Sequence, residues 1–212
     1  PLVAFDGTNY LVAWTRGSSP DIENVFGARV SRNGAVLDAP EIAIATLANR
    51  QRATGVAFDG TNYLVVWDHA VTTNIFPPPD GQIFGRRVTQ AGTLLDGAAD
   101  TAGIPISTGL FQNHSSSVTF SGNAFLVTWA VGSFPNFPPA GIHATRISRG
   151  GTRLDGTPTQ IGLPVSGTPP AFSRFVHPIA ASIGQSALIA WVNNIELFGT
   201  QKDIIAVPAF SP

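Results

Sequence analysis

The sequence predicts an all-β fold, a β-propeller of four repeat units of mostly four antiparallel strands each, and three observations predict it. One phrase recurs: the run from Val3 to Trp14, VAFDGTNYLVAW, returns from Val56 to Trp67, more loosely from Val118 to Trp129, and faintly from Ala180 to Trp191. Two markers keep the same step, since Gly7, Gly60, Gly122 and Gly184, like Trp14, Trp67, Trp129 and Trp191, are spaced by 53, 62 and 62 residues. Two markers in agreement make a chance match implausible and point to a repeat architecture. Between the markers there is no helical period; short apolar runs are broken by 22 Gly and 17 Pro, the pattern of many short strands joined by turns.

Each unit opens with a hairpin. Val3, Phe5, Tyr10, Val12 and Trp14 alternate with Ala4, Leu11 and Ala13, and because both sets are apolar, both faces of the hairpin should be covered by protein. A third strand follows at 25–31, 83–89, 142–148 and, more loosely, 204–210. The first three carry an arginine at one place, Arg29, Arg87 and Arg146. Turn pairs Asn33-Gly34, Ala91-Gly92 and Gly150-Gly151 lead into Leu37-Asp38, Leu95-Asp96 and Leu154-Asp155. A fourth strand is expected around 42–44, 104–106 and 161–165, where proline and a weaker pattern suit an outer edge. The units fall at about 1–53, 54–115, 116–177 and 178–212 of a single domain, 1–212. Fifteen strands result, so the last blade has three. Because open sheet edges are a liability, the expectation is a compact four-bladed ring with the strand at Val3 to Phe5 beside the blade that contains Trp191.

Twelve Lys and Arg against thirteen Asp and Glu give a formal charge of −1, which provides no field to attract nucleic acid or an anionic membrane. The absence of Cys removes disulfides, thiolate metal sites and cysteine nucleophiles together. No apolar run reaches membrane-spanning length. There is no Met, at position 1 or elsewhere, and the expectation is a processed piece or a fragment of a longer repeat protein.

The phrase FDGTNYLVVW, followed by IFGRRV and then by Leu94-Leu95-Asp96, resembles a repeat family of bacterial secreted or surface β-propellers. The resemblance covers nearly the whole chain and is strongest in the first two units. Ser121 in the third and Ile183 in the fourth stand where the motif has Asp. It implies a propeller and an extracellular or cell-surface location, and it brings no catalytic residues, because the shared motif is structural.

The candidate chemistry is spread over several features. The four tryptophans end apolar strands and read as inter-blade core, with a sugar-stacking set as the alternative. Asp6 and Asp59 precede Gly-Thr-Asn and read as turn residues rather than calcium ligands. Arg29, Arg87 and Arg146 face strands bearing Asp38, Asp96 and Asp155, which suggests a repeated cross-strand ion pair, with an anion-binding ring as the sharper alternative. The innermost strands, read as Val3–Phe5, Val56–Phe58, Val118–Phe120 and Ala180–Ser182, offer nothing titratable, and no catalytic residues, cofactor or metal site are expected.

The loops then carry the site. Those joining second to third strands and those joining blades share one rim, which gathers Arg50, Arg52, His69, Phe76, Phe111, His114, Phe134, Phe137, Phe172, Arg174 and His177. Exposed rings beside polar groups suit glycan or protein recognition, although the same Phe and Pro would also pack the loops onto the blades. The resulting expectation is a non-catalytic extracellular binding or adhesion module with a glycan or protein ligand. One alternative is an assembly subunit closed by a neighbouring chain, a homo-oligomer. The other is a glycan-active hydrolase or lyase.

Overall fold

A computed structural model of the chain describes residues 1–19, 22–70, 81–108, 113–132, 141–157, 163–166, 173–195 and 201–209. Every regular element among them is a strand. The first blade contains β1 (Leu2–Phe5), β2 (Asn9–Ser19), β3 (Ile22–Ser31) and β4 (Ile42–Ala45). The second contains β5 (Arg50–Phe58), β6 (Asn62–Ala70), β7 (Gly81–Thr89) and β8 (Ile104–Ser107). The third contains β9 (Asn113–Ser121), β10 (Ala124–Val131), β11 (Gly141–Ser148) and β12 (Leu163–Pro164). The fourth contains β13 (Ser173–Ile183), β14 (Ser186–Ile195) and β15 (Gln201–Ala209). Within each blade the strands pair antiparallel in chain order, and one parallel bridge, Glu23 to Arg50, joins the first two blades edge to edge.

The hairpin turns form because Asp6 and Asp59 satisfy the backbone. In the first unit Asp6 Oδ1 accepts hydrogen bonds from the N–H groups of Thr8 at 2.7 Å and Asn9 at 2.6 Å. Asp59 does the same for Thr61 and Asn62, both at 2.7 Å. Gly60 between them lies at φ 93°, a conformation that costs glycine little. Burial raises the pKa of Asp6, yet the N–H groups of Asn9 and Thr8 outweigh it and hold the carboxyl below its ordinary value.

The arginines and aspartates pair as the sequence suggests. Arg29 to Asp38, Arg87 to Asp96 and Arg146 to Asp155 each close at 2.7 Å. In every case the second carboxylate oxygen also takes the arginine's own backbone N–H, at 2.6–2.8 Å. Two of these guanidinium groups also reach the next blade: Arg29 donates to the Gln90 carbonyl at 3.2 Å and Arg87 to the Arg149 carbonyl at 2.7 Å.

The core is divided among the junctions between blades. Leu11, Val25 and Ile44 of the first blade meet Tyr63, Trp67 and Phe84 of the second. Leu64, Ile83 and Ile106 meet Phe125, Trp129 and Ile147 of the third. Leu126, Ile142 and Ala144 meet Ile189, Trp191 and Ile205 of the fourth. Trp67, Trp129 and Trp191 are buried and Trp14 is half-buried, so these rings are core rather than a stacking surface.

The closed four-bladed ring is not what the structure shows. β1 packs on β2 and β5, and both Val3 and Phe5 are exposed, as are Leu188 and Ile204 on the far side of the fourth blade. The strand at Val3 to Phe5 is therefore not covered by the blade that contains Trp191. The inner strands are also longer than their apolar pattern. β5 begins at Arg50, β9 at Asn113 and β13 at Ser173, so several residues expected on inter-blade loops belong to strands.

Candidate functional site

The extension of the inner strands rests on bulges. Register slips between Ala53 and Gly55 against β6, and between the partners of Thr128 and Ala130 in β9. An extra residue at such a point leaves backbone N–H groups without a ladder partner. At the first junction Thr15 Oγ1 accepts the N–H of Ala53 at 2.9 Å. At the second, Asp68 stands where Thr15 stands, directly after the junction tryptophan. Its carboxylate accepts from the backbone N–H of Ser115 at 2.7 Å, from the backbone N–H of Ser116 at 3.3 Å and from the Ser116 hydroxyl at 2.6 Å. Ser115 is held at φ 55°. Ser116 Oγ also lies 2.5 Å from Thr54 Oγ1 of the neighbouring inner strand.

Burial raises the Asp68 carboxyl to about 6, and the hydrogen bonds from Ser116 and Ser115, with the charge of Arg52, keep it from rising further. Arg52 faces Asp68 across the β5–β6 ladder. On the other side of Arg52 is a second carboxylate: Glu23 Oε2 lies 3.8 Å from Arg52 Nη2 and 3.2 Å from Arg50 Nε. The arrangement is therefore two carboxylates flanking an arginine whose side chain is largely exposed. One of them is poised to hold a proton under mildly acidic conditions.

Of the residues singled out from the sequence, Arg50, Arg52 and His114 belong to this end of the inner strands. His114 Nδ1 lies 3.1 Å from Ser115 Oγ, one residue from the amide that Asp68 holds. His69 does not join them. It follows Asp68 on β6 and so faces the opposite side, where Gln51 Nε2 donates to its Nδ1 at 3.3 Å and its ring stands edge-on to Phe84 at 5.8 Å. Burial lowers its pKa, so the imidazole is neutral at pH 7. Phe76, Phe111, Phe134, Phe137 and Phe172 lie outside the described residues, and Arg174 and His177 lie on β13 with side chains that are not described. Among the described residues no three His, Asp or Glu side chains gather closely enough to hold a metal ion.

Asp68, Glu23, Thr54 and Ser116 are absent from the sequence-derived set. For Asp68 a signal exists: the position after the junction tryptophan is Thr15, Asp68, Ala130 and Val192 in the four units, and only one of these is charged.

No protein-family model matches the chain, and no curated protein matches it. Solved structures do share its fold. A thermostable family-43 glycoside hydrolase matches at 12% identity with a TM-score of 0.55, over 99% of this chain and 70% of that one. An α-L-arabinofuranosidase from Lactobacillus brevis matches at 11% identity with a TM-score of 0.53, over 97% and 70%. A third structure, described as a glycoside hydrolase, matches at 11% identity with a TM-score of 0.51, over 98% and 69%. At these identities the likeness is one of fold, the β-propeller, which in this group has five blades. The neighbours also correct the expectation of a non-catalytic carbohydrate-binding or adhesion module, since the matched structures are those of an α-L-arabinofuranosidase and other glycoside hydrolases. That expectation rested on a loop-rich rim that included Arg50, Arg52 and His114, and on inner strands read as Val56–Phe58 and Val118–Phe120, which hold nothing titratable.

Proposed function

We propose that the chain is a glycan-active hydrolase that cleaves glycosidic bonds with two carboxylates, Asp68 and Glu23. The observation that supports it most is Asp68. This half-buried carboxyl keeps its proton up to about pH 6 while doing a fastening job that a plain hydroxyl, Thr15, does one blade earlier. Glycoside hydrolysis needs one carboxyl protonated at working pH and a second one ionised. In this reading Asp68 gives its proton to the glycosidic oxygen as the bond from the anomeric carbon to that oxygen breaks. Water adds to the anomeric carbon and passes its proton to Glu23, so one glycosidic bond and one water become two hydroxyl-bearing sugars. Arg50 and Arg52 hold Glu23 in place, and Arg52 is exposed enough to donate to a sugar hydroxyl.

One of the fold neighbours is an α-L-arabinofuranosidase, which supports a choice of substrate class. We take arabinofuranosyl linkages as the first to test. A polymeric glycan of that kind is met outside the cell, which goes with an extracellular or cell-surface location. Release of nitrophenol from a nitrophenyl α-L-arabinofuranoside, and of reducing ends from linear arabinan, is the assay. Turnover by the unaltered chain is expected. Its absence on both substrates and on a panel of other plant polysaccharides would refute the proposal.

A further inference from the structure

Two neighbouring inner strands carry a hydroxyl at the same point of their bulges. On β5 the slip between Ala53 and Gly55 leaves Thr54 without a partner on β6, and on β9 Ser116 stands in the same place 62 residues later. The two strands pack on each other, and the hydroxyls meet: Thr54 Oγ1 lies 2.5 Å from Ser116 Oγ, close even for a hydrogen bond between oxygens. The pair has a different partner at each end. Ser116 Oγ is 2.6 Å from Asp68 Oδ1, and Thr54 Oγ1 is 3.3 Å from the carbonyl oxygen of Val66. The row extends no further, because the next equivalent position, in the fourth blade, is Pro178, which has no hydroxyl.

Four oxygens in a row, two of them hydroxyls, admit two directions of donation. A hydroxyl has one hydrogen to give, so Ser116 cannot serve Asp68 and Thr54 together, nor can Thr54 serve Ser116 and Val66. With the carboxylate ionised, Thr54 donates to Ser116 and Ser116 donates to Asp68 Oδ1. With a proton on Oδ1, Asp68 donates to Ser116, Ser116 to Thr54, and Thr54 to the Val66 carbonyl. Each hydroxyl keeps its own hydrogen and only rotates; the one O–H bond made or broken is that of Asp68. We propose that Thr54 and Ser116 are positioning residues for Asp68, a hydroxyl chain that reverses its direction as the carboxyl gains or loses its proton and leaves no buried donor unpaired in either state. The purpose of the chain rests on the reading of Asp68 as the proton donor of a hydrolase, since such a donor passes through both states in every turnover.

The other groups around Asp68 are fixed points in this scheme. Among the described residues, Arg52 faces it from β5, with Glu23 of β3 beyond, and the residue opposite on β7 is Ile83. On β9 the His114 ring turns its Nδ1 to Ser115 Oγ, while the Ser115 N–H holds Asp68 Oδ2. His69 follows on β6 and faces the other way. All of them stay in place when the chain is altered at Thr54 or Ser116.

Titration of the Asp68 carboxyl carbon by ¹³C NMR, with the signal assigned by its loss in Asp68→Asn, tests the chain in each direction. Thr54→Val keeps the shape of the side chain and removes its hydroxyl. The protonated state then leaves Ser116 with no acceptor for its hydrogen, so the midpoint should fall by about half to one pH unit, the scale of one unmade hydrogen bond. A chain fixed in one direction predicts a rise, because Thr54 would then only ever donate toward the carboxylate, and added apolar surroundings also predict a rise. Thr54→Ser restores the hydroxyl and should restore the midpoint. Ser116→Ala removes the direct donor from the carboxylate and should raise the midpoint. Circular dichroism checks that each variant keeps its strands. A Thr54→Val midpoint that stays or rises overturns the proposal, as does a Thr54→Ser midpoint that falls as far. The titration needs no substrate, which separates the two readings: the expected shifts in a protein that cleaves no glycan would sink the hydrolase and leave the chain. Turnover in a protein whose Thr54→Val midpoint does not fall would do the reverse.

Discussion

The first and second junctions do the same structural work with different chemistry. At the first, the bulge on β5 is fastened by the Thr15 hydroxyl; at the second, the bulge on β9 is fastened by the Asp68 carboxylate. The guanidinium clamp varies in the same way. In the second blade it is Arg86 on β7, whereas in the third the matching strand position is Thr145 and the clamp comes from Arg153, beyond the turn. Both guanidinium groups end on the same carbonyl of the preceding blade's outer strand, Ile44 or Ile106. The junction thus fixes a backbone geometry and is indifferent to which side chain supplies the partner. A charge at position 68 is more than the first junction needs for the same fastening, and this difference is what supports the role proposed for Asp68.

If the junctions are equivalent, the largest effects should match across them. Trp67→Ala and Trp129→Ala are each expected to cost about 3–5 kcal/mol by urea unfolding, and Trp14→Ala clearly less, because its ring is only half-buried. Equal losses for all three would break the distinction between internal and outer faces.

Next in size is the clamp. Arg86→Leu and Arg153→Leu should each cost about 1–3 kcal/mol, since a carbonyl at a buried junction loses its charged donor. Adding Thr145→Arg to Arg153→Leu rebuilds the second-blade arrangement in the third and should recover most of that loss. No recovery would mean the two clamps are not interchangeable.

The smallest effects are those of pH, and here two aspartates should move in opposite directions. Asp38 is held below its ordinary value of 3.8 by its hydrogen bond to the Arg29 guanidinium, against the effect of burial. Its contribution is present above that value and is lost as pH falls through the folded-state pKa. Asp68 is raised to about 6, so its contribution is complete below 3.8 and is lost as pH rises through about 6. Asp38→Asn should therefore destabilise at neutral pH and little in strong acid. Asp68→Asn should be neutral or stabilising above pH 6. Thermal unfolding from pH 3 to 8 reads both.

The scaffold was legible because it repeats. Period-two alternation, Asp-Gly-Thr-Asn turns and the tryptophan spacing locate fifteen strands, and the Arg29–Asp38 pair and its two counterparts follow from arginine and aspartate recurring at fixed offsets. What the repeat hid was whatever differs between units. A bulge breaks the alternation, so the sequence pattern places Arg50, Arg52 and His114 on loops where the structure has strands. Asp68 matters because it departs from the repeat, and a reading that searches for what recurs passes over it. Ring closure is hidden for another reason: it depends on how the first and last blades lie relative to each other, a long-range geometry that no short stretch of sequence encodes.

The most direct test of the account is the pH dependence of arabinofuranoside hydrolysis by the unaltered chain and by Asp68→Thr, which copies the first junction into the second. The account predicts that the rate of the unaltered chain falls as pH rises through about 6, where Asp68 loses its proton. It predicts that Asp68→Thr folds with near-native stability and loses about 100-fold or more in kcat, the usual scale for a missing proton donor. An Asp68→Thr variant that folds and retains both the rate and the pH profile would contradict it.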